Sequence, residues 1–240
     1  MNVRKLIPAK LRLKAKVVSR NLRDYSSGRA ATFATARDTT AKFDHSISLT
    51  QPIKPGPFFD NKVHNIRTGM SRIENIVVNP GQILSFWKLI GQPTERNGFK
   101  VGRNIIGGTV SEDYGGGLCQ LASIVYHMSL ISGLTVVERH SHSVDIYKEE
   151  DRFTPLGADA AIVYGYKDLR IRNTLKTPVR FSFTIENNEL TCITSTPGKV
   201  NELNVQFERK YLGGVVEITT TVSNENDTKV LHKVAYKLPA

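Results

Sequence analysis

Three consecutive glycines, Gly115-Gly116-Gly117, run into Leu118-Cys119-Gln120 and then into an apolar segment with helical spacing at Leu121, Val125, Met128 and Ile131, stopped by Gly133. A helix of this composition is too apolar to lie on a surface, so the chain has to build its core around it. Its first turn leaves backbone N–H groups unpaired and carries about half a positive charge, which stabilises a thiolate and lowers the pKa of a cysteine held there. Cysteine is often a small buried filler, but a filler does not account for three preceding glycines, which let backbone and substrate approach closely. The pattern predicts a central helix over Leu118–Ser132 with a reactive thiol, Cys119, at its N-terminus.

A nucleophilic thiol needs a base within hydrogen-bond reach and a group that orients the base. The run Glu138-Arg139-His140-Ser141-His142-Ser143 reads as a strand with two imidazoles on one face, and Gly157-Ala158-Asp159-Ala160 places a carboxylate before another apolar run. His140 and His142 are both candidate bases, and each is equally a half-buried strand residue bonded to a carbonyl. Asp159 is a candidate orienting acid that holds the imidazole tautomer, or a turn-capping aspartate. Gly116, Gly117 and the backbone N–H groups of Cys119 and Gln120, with the Gln120 amide, suit an oxyanion hole or substrate positioning. Arg139 alternates away from the histidines and suits a partner carboxylate or a structural ion pair. Cys119, His140, His142 and Asp159 also form a set of tetrahedral zinc donors, without the Cys-x-x-Cys spacing of strong zinc motifs. No metal and no cofactor is expected, and no Lys-Ser or Lys-Thr follows the glycines to make a phosphate loop.

The rest of the chain divides by composition. Of its net charge of +11, most sits in the first 23 residues, which hold Arg4, Lys5, Lys10, Arg12, Lys14, Lys16, Arg20 and Arg23 and no acid. Leu11, Ala15, Val18 and Leu22 fall on one helical stripe, so residues 1–25 read as a basic amphipathic arm, packed on its own domain or laid on an anionic membrane. Nucleic acid is not an expected partner, since the basic segment up to Arg23 has no aromatic residue to stack on bases. No run approaches the ~18 apolar residues of a spanning helix and no signal-peptide pattern opens the sequence. The expectation is a protein in the cytoplasm or peripheral at the inner membrane face, with Cys119 and Cys192 reduced.

Residues 26–60, rich in Ser, Thr, Ala, Gly and Pro, read as a linker or extended wrap; 61–200 as the main domain; 201–240 as a β extension. Within the main domain a helix is expected over Lys62–Ile76, a strand at Leu84–Trp87, and loops over 91–117, which hold eight of the chain's 18 glycines. Strands are expected at Thr135–Val137, His140–Tyr147, Ala160–Tyr166, Leu169–Asn173 and Val179–Glu186, with Asn187-Asn188 turning into Leu190–Thr194. Helices first and antiparallel strands later predict an α+β fold, the central helix packed on a mostly antiparallel sheet.

Pro80-Gly81-Gln82, Leu84-Ser85-Phe86, Gly91, Gly115 to Gln120, Glu138-Arg139 with His142-Ser143, and Gly157 to Ala160 together resemble the VanW family, over about Ile73 to Ser195. The family is named for an accessory gene of glycopeptide-resistance clusters, so the resemblance implies work in the bacterial cell envelope on a peptidoglycan stem peptide or precursor. Some larger members behave as L,D-transpeptidases that act through a cysteine acyl-enzyme. By that resemblance Cys119 is the nucleophile and His142, in the family's His-Ser pair, the base. The alternatives are a non-catalytic accessory module that binds peptidoglycan or a partner, and a metal-dependent hydrolase built on the His/Cys/Asp cluster.

Overall fold

The computed structural model describes residues 7–38, 40–106, 109–144, 149 and 152–238. The fold is α+β. Its helices are α1 (Ala9–Ser26), α2 (Phe59–Ile73), the short α3 (Phe86–Ile90) and α4 (Leu118–Ile131). Strands β1 (His45–Pro52), β9 (Glu189–Thr196), β8 (Val179–Glu186) and β2 (Val77–Val78) form one antiparallel sheet in that order; β3 (Ile83–Ser85), β7 (Arg170–Arg172) and β6 (Thr135–Glu138) form a second. A hairpin, β4 (Val101–Ile106) and β5 (Thr109–Tyr114), and a meander, β10 (Asn204–Leu212), β11 (Val215–Ser223) and β12 (Thr228–Lys237), complete it.

Helix α4 is buried on nearly every side, as its composition requires, and contacts α2, β1, β6 and β9. Its apolar residues join those of α2 and of the β1-to-β2 sheet in one core that includes Ile66, Leu121, Val125, Phe181 and Cys192. Strand β1 lies in the segment expected as linker or wrap and pairs along the whole of β9. The β8–β9 turn is made by Asn187 and Asn188, both at positive φ (50° and 62°), the geometry that two-residue hairpins require and that Asn tolerates.

Several expected elements differ. Ser85 ends β3 and caps α3, accepting from the Lys88 N–H, so the expected strand at Leu84–Trp87 gives way to a helix from Phe86 onward. The glycine-rich 91–117 stretch is not all loop, because β4 and β5 pair over six residues each. Residues 140–144 and 160–166 are not strands: they meet through the Ala161 N–H to His140 carbonyl bond, Ser143 accepts from the Lys237 N–H, Val163 bonds with Lys167, and 145–147 lie outside the described residues. Alternation therefore does not apply to His140 and His142.

Two appendages are tied to this body. Helix α1 docks through Leu13 and Val17, which lie over Gly165, and through a buried two-pronged ion pair from Arg170 to Asp24 (2.7 and 2.8 Å). The meander docks through Leu156, Val216, Ile218 and Tyr236, a small core of its own, and through the Lys237 N–H to the Ser143 carbonyl at 3.1 Å. Among the described residues no helix is long and apolar enough to cross a membrane.

Candidate active site

The glycines shape the start of α4. A Cβ on Gly116 would lie 2.6 to 2.8 Å from the backbone of Gly102 and Arg103, so only glycine lets the loop rest on β4. Gly117, at φ 102°, caps α4, and a Cβ there would strike the Lys62 side chain at 2.9 Å. Asn65, fully buried on α2, braces the loop by donating to the carbonyls of Gly116 (3.0 Å) and Lys100 (2.9 Å) and accepting from the Lys100 N–H.

Cys119 stands in the first turn of α4, its Sγ 4.0 Å from the Ile162 carbonyl and hydrogen-bonded to His142. His142 Nδ1 lies 2.6 Å from Asp159 Oδ2, which leaves Nε2 for the thiol. Asp159 Oδ2 also accepts the His142 backbone N–H at 2.8 Å, while Oδ1 accepts from Arg139 Nη2 at 2.8 Å and the Tyr236 hydroxyl at 2.5 Å. Burial works against a charged Asp159, but four donors outweigh it and hold the carboxyl well below the usual range. Burial likewise disfavours His142 as a cation, yet its bonds to Asp159 and Cys119 push it up to about 10. For Cys119, burial raises the thiol and the bond and charge of His142 bring it below its ordinary value. The three groups lie in a row, with the imidazole bonded to the carboxylate on one side and lowering the thiol on the other.

Other residues take the places expected only in part. Arg139 makes the structural ion pair that is one of its two readings, with Asp159 at 2.8 Å. It lies behind Asp159, donating to the carbonyls of Asp159 (2.8 Å) and Gly157 (2.9 Å), with its guanidinium 4.9 Å from the ring centroid of Tyr126. His140 turns to Glu138, 3.1 Å away, and takes no part in the Cys119 pair. Gln120 lines the cleft; one N–H of its amide donates to the Pro52 carbonyl and its backbone N–H to the Gly117 carbonyl. Among the described residues the Cys119 N–H has no backbone acceptor. Cys119, His140, His142 and Asp159 do not converge as ligands, and among the described residues no group of three or more His, Cys, Asp or Glu side chains is placed to hold a metal.

The thiol opens into a cleft of about 200 Å³. Apolar side chains such as Phe58, Phe59 and Leu156 wall it, and Lys62 and Arg103 enter it beside the glycines. Burial lowers the Lys62 ammonium to about 8, and among the described residues no carboxylate pairs with Lys62 or Arg103.

Sequence reasoning missed Tyr236, Asn65, Ser123 and Lys62. Ser123 donates to the Cys119 carbonyl at 2.7 Å and accepts the Ala160 N–H at 2.9 Å, which ties α4 to the Asp159 loop. A signal existed for Ser123, a polar residue on an otherwise apolar helix one turn after the cysteine. Tyr236 carried none, as an aromatic on a strand is ordinary.

The model of VanW-like proteins matches residues 61–194. The chain is 27% identical over 131 residues to the vancomycin B-type resistance protein VanW of Enterococcus faecalis, covering 55% of this chain and 48% of that protein. It is 29% identical over 161 residues to the protein YoaR of Bacillus subtilis, covering 61% of this chain and 52% of that one. The chain thus spans about half the length of these curated relatives. No solved structure matches it with significance. Every residue of the Cys119, His142 and Asp159 line lies inside the matched segment, which covers more than half of the sequence, and the chain belongs to the VanW-like family.

Proposed function

We propose that this protein serves the bacterial cell envelope in connection with glycopeptide resistance, and that it acts on a peptidoglycan stem peptide or precursor by cysteine-dependent acyl transfer. The observation that carries the chemistry is His142, bonded at one nitrogen to Cys119 and at 2.6 Å by the other to Asp159. Family membership and the printed name of the enterococcal relative support the setting.

In this reading the Cys119 thiolate attacks a carbonyl carbon of the donor and forms a C–S bond, and the developing oxyanion takes the Cys119 N–H. As the tetrahedral adduct collapses, the C–N bond breaks and His142 gives its proton to the leaving nitrogen. An acceptor amine then attacks the thioester, His142 takes the amine proton, and the thiolate leaves; water in place of the amine gives hydrolysis. Asp159 keeps Nδ1 protonated throughout, so that Nε2 faces the reaction.

The test is incubation of the protein with purified stem peptides, alone and with an amine acceptor, followed by mass spectrometry of protein and products. A thioester on Cys119 and a new amide or shortened peptide, both lost in Cys119→Ala, support the reading. Unchanged peptides, retained by a folded Cys119→Ala protein as tightly as by wild type, favour the binding module.

A further inference from the structure

The two glycines before Leu118 do more than open the cleft. Gly117 rests against the stem of Lys62, and Gly116 rests on the backbone of Arg103, so each brings a cation to the mouth of the site. Among the described residues the sole acid lining the cleft is Asp159, and its oxygens are taken by His142, Arg139 and Tyr236. Lys62 is half-buried, while Arg103 is exposed with Glu112 opposite it on β5; a half-buried ammonium without a counter-charge is costly, and a substrate carboxylate is the group that would complete it. We propose that Lys62 and Arg103 form a carboxylate subsite, and that the acyl donor is a peptide with a free carboxylate close to the reacting carbonyl. The proposal rests on the reading of Cys119 as nucleophile and adds to it the charge of the substrate.

Two probes test it on the intact chain carrying Cys192→Ser: bromoacetylglycine, which is a free acid, and its neutral analogue bromoacetylglycinamide. The acid alkylates Cys119 about tenfold faster and with saturation, a preference of the size one charge-assisted hydrogen bond gives. Lys62→Met and Arg103→Met each collapse the ratio. In the otherwise unaltered protein the ratio falls as pH rises through about 8, where Lys62 loses its charge. Equal rates with a reactive Cys119 overturn the subsite and leave the nucleophile in place. A second measurement does not need the thiol: ligand-observed NMR of Cys119→Ser protein with N-acetylglycine and N-acetylglycinamide. Binding of the acid alone, lost in Lys62→Met, supports the subsite; no difference between the two overturns it, whatever the thiol does.

A separate observation concerns α1. Its docked face is Leu13, Val17, Arg20 and Asp24, whereas the stripe Leu11, Val18, Leu22 and Tyr25 is 57%, 55%, 63% and 79% exposed. At 100° per residue, Lys10 and Lys14 flank that stripe on one side and Arg12, Lys16 and Arg23 on the other, all of them exposed. An apolar ridge between two cationic rows complements an anionic lipid surface, and the ion pairs of the docked face hold it outward. We infer that this face of α1 seats the protein on an anionic bilayer. Sedimentation with phosphatidylglycerol-containing vesicles tests it. Binding that is absent on pure phosphatidylcholine, released by about 0.5 M salt and lost in a Leu11→Gln, Val18→Gln, Leu22→Gln protein with an unchanged melting temperature supports the inference. No binding to the anionic vesicles, or equal binding to both lipids, overturns it.

Discussion

Tyr236 gives its hydroxyl to Asp159 Oδ1 at 2.5 Å across 77 residues of sequence, so β12 holds the carboxylate that is bonded to His142. Tyr236 lies outside the segment matched to the family, yet it is fully buried beside Asp159. Tyr236→Phe keeps the ring and removes one of the four donors to the carboxylate. With one competing donor gone, Asp159 binds the imidazolium more strongly, so the expected result is a more basic His142 and a thiol pKa that moves down, read as an acid shift in the pH profile of Cys119 alkylation. Loss of about 1 to 3 kcal/mol in unfolding free energy accompanies it, from a buried hydrogen bond to a charged group. A tyrosine that only filled space would leave the profile where it is.

The pH dependence of the pair has a definite sign. Cys119 lies below its ordinary value because of His142, so wild type stays alkylable by iodoacetamide at pH values where a free thiol is mostly protonated, and His142→Ala moves the midpoint upward. Stability follows the same groups. His142 is raised from 6.5 to about 10, so its contribution is complete below 6.5 and is lost as pH rises through about 10. Asp159 is lowered from 3.8, so its contribution is present above 3.8 and is lost as pH falls through its folded value. Melting temperature against pH should fall at both ends in wild type and be flatter in His142→Ala.

The three residues of this line were legible in the sequence because each sits in a local context that chemistry explains: Cys119 after glycines, His142 beside a second imidazole, Asp159 after a glycine. What surrounds them was not. Strand alternation assigns Arg139 and His140, but the 140–144 segment is held by the Asp159 carboxylate and by isolated backbone bonds from Ala161 to His140 and from Lys237 to Ser143, so the period of two fails there. The antiparallel sheet and its Asn187-Asn188 hairpin were readable from pattern and turn chemistry, while β4 and β5 were hidden because the glycines that flank them in sequence read as loop. Lys62 looked like any cation of an amphipathic helix; only the approach of Gly117 turns it into the cleft.

Gly116→Ala tests whether the close approach to β4 sets the site. The new methyl would meet the Gly102 and Arg103 backbone, which cannot rotate away, so the loop must shift. Expected are a loss of about 1 to 3 kcal/mol in stability by chemical denaturation and slower alkylation of Cys119 at every pH. Gly198→Ala is the control, because a Cβ there meets nothing within 4 Å, and it should stay within about 0.5 kcal/mol of wild type.

Arg139→Lys separates charge from geometry. The guanidinium spans four oxygens, the carbonyls of Gly157 and Asp159, the Asp159 carboxylate and the Tyr236 hydroxyl, and also lies over Tyr126. A lysine keeps the charge but has no planar fork, so it can neither make these bonds together nor stack in the same way. It leaves buried carbonyls unpaired, and a loss of about 2 to 4 kcal/mol in unfolding free energy is expected from desolvated acceptors and a weakened buried pair. With Asp159 less firmly held, His142 loses part of its basicity and the Cys119 alkylation midpoint rises. If the lysine protein melts like wild type and keeps its profile, the charge alone sustains the line and the fork is dispensable.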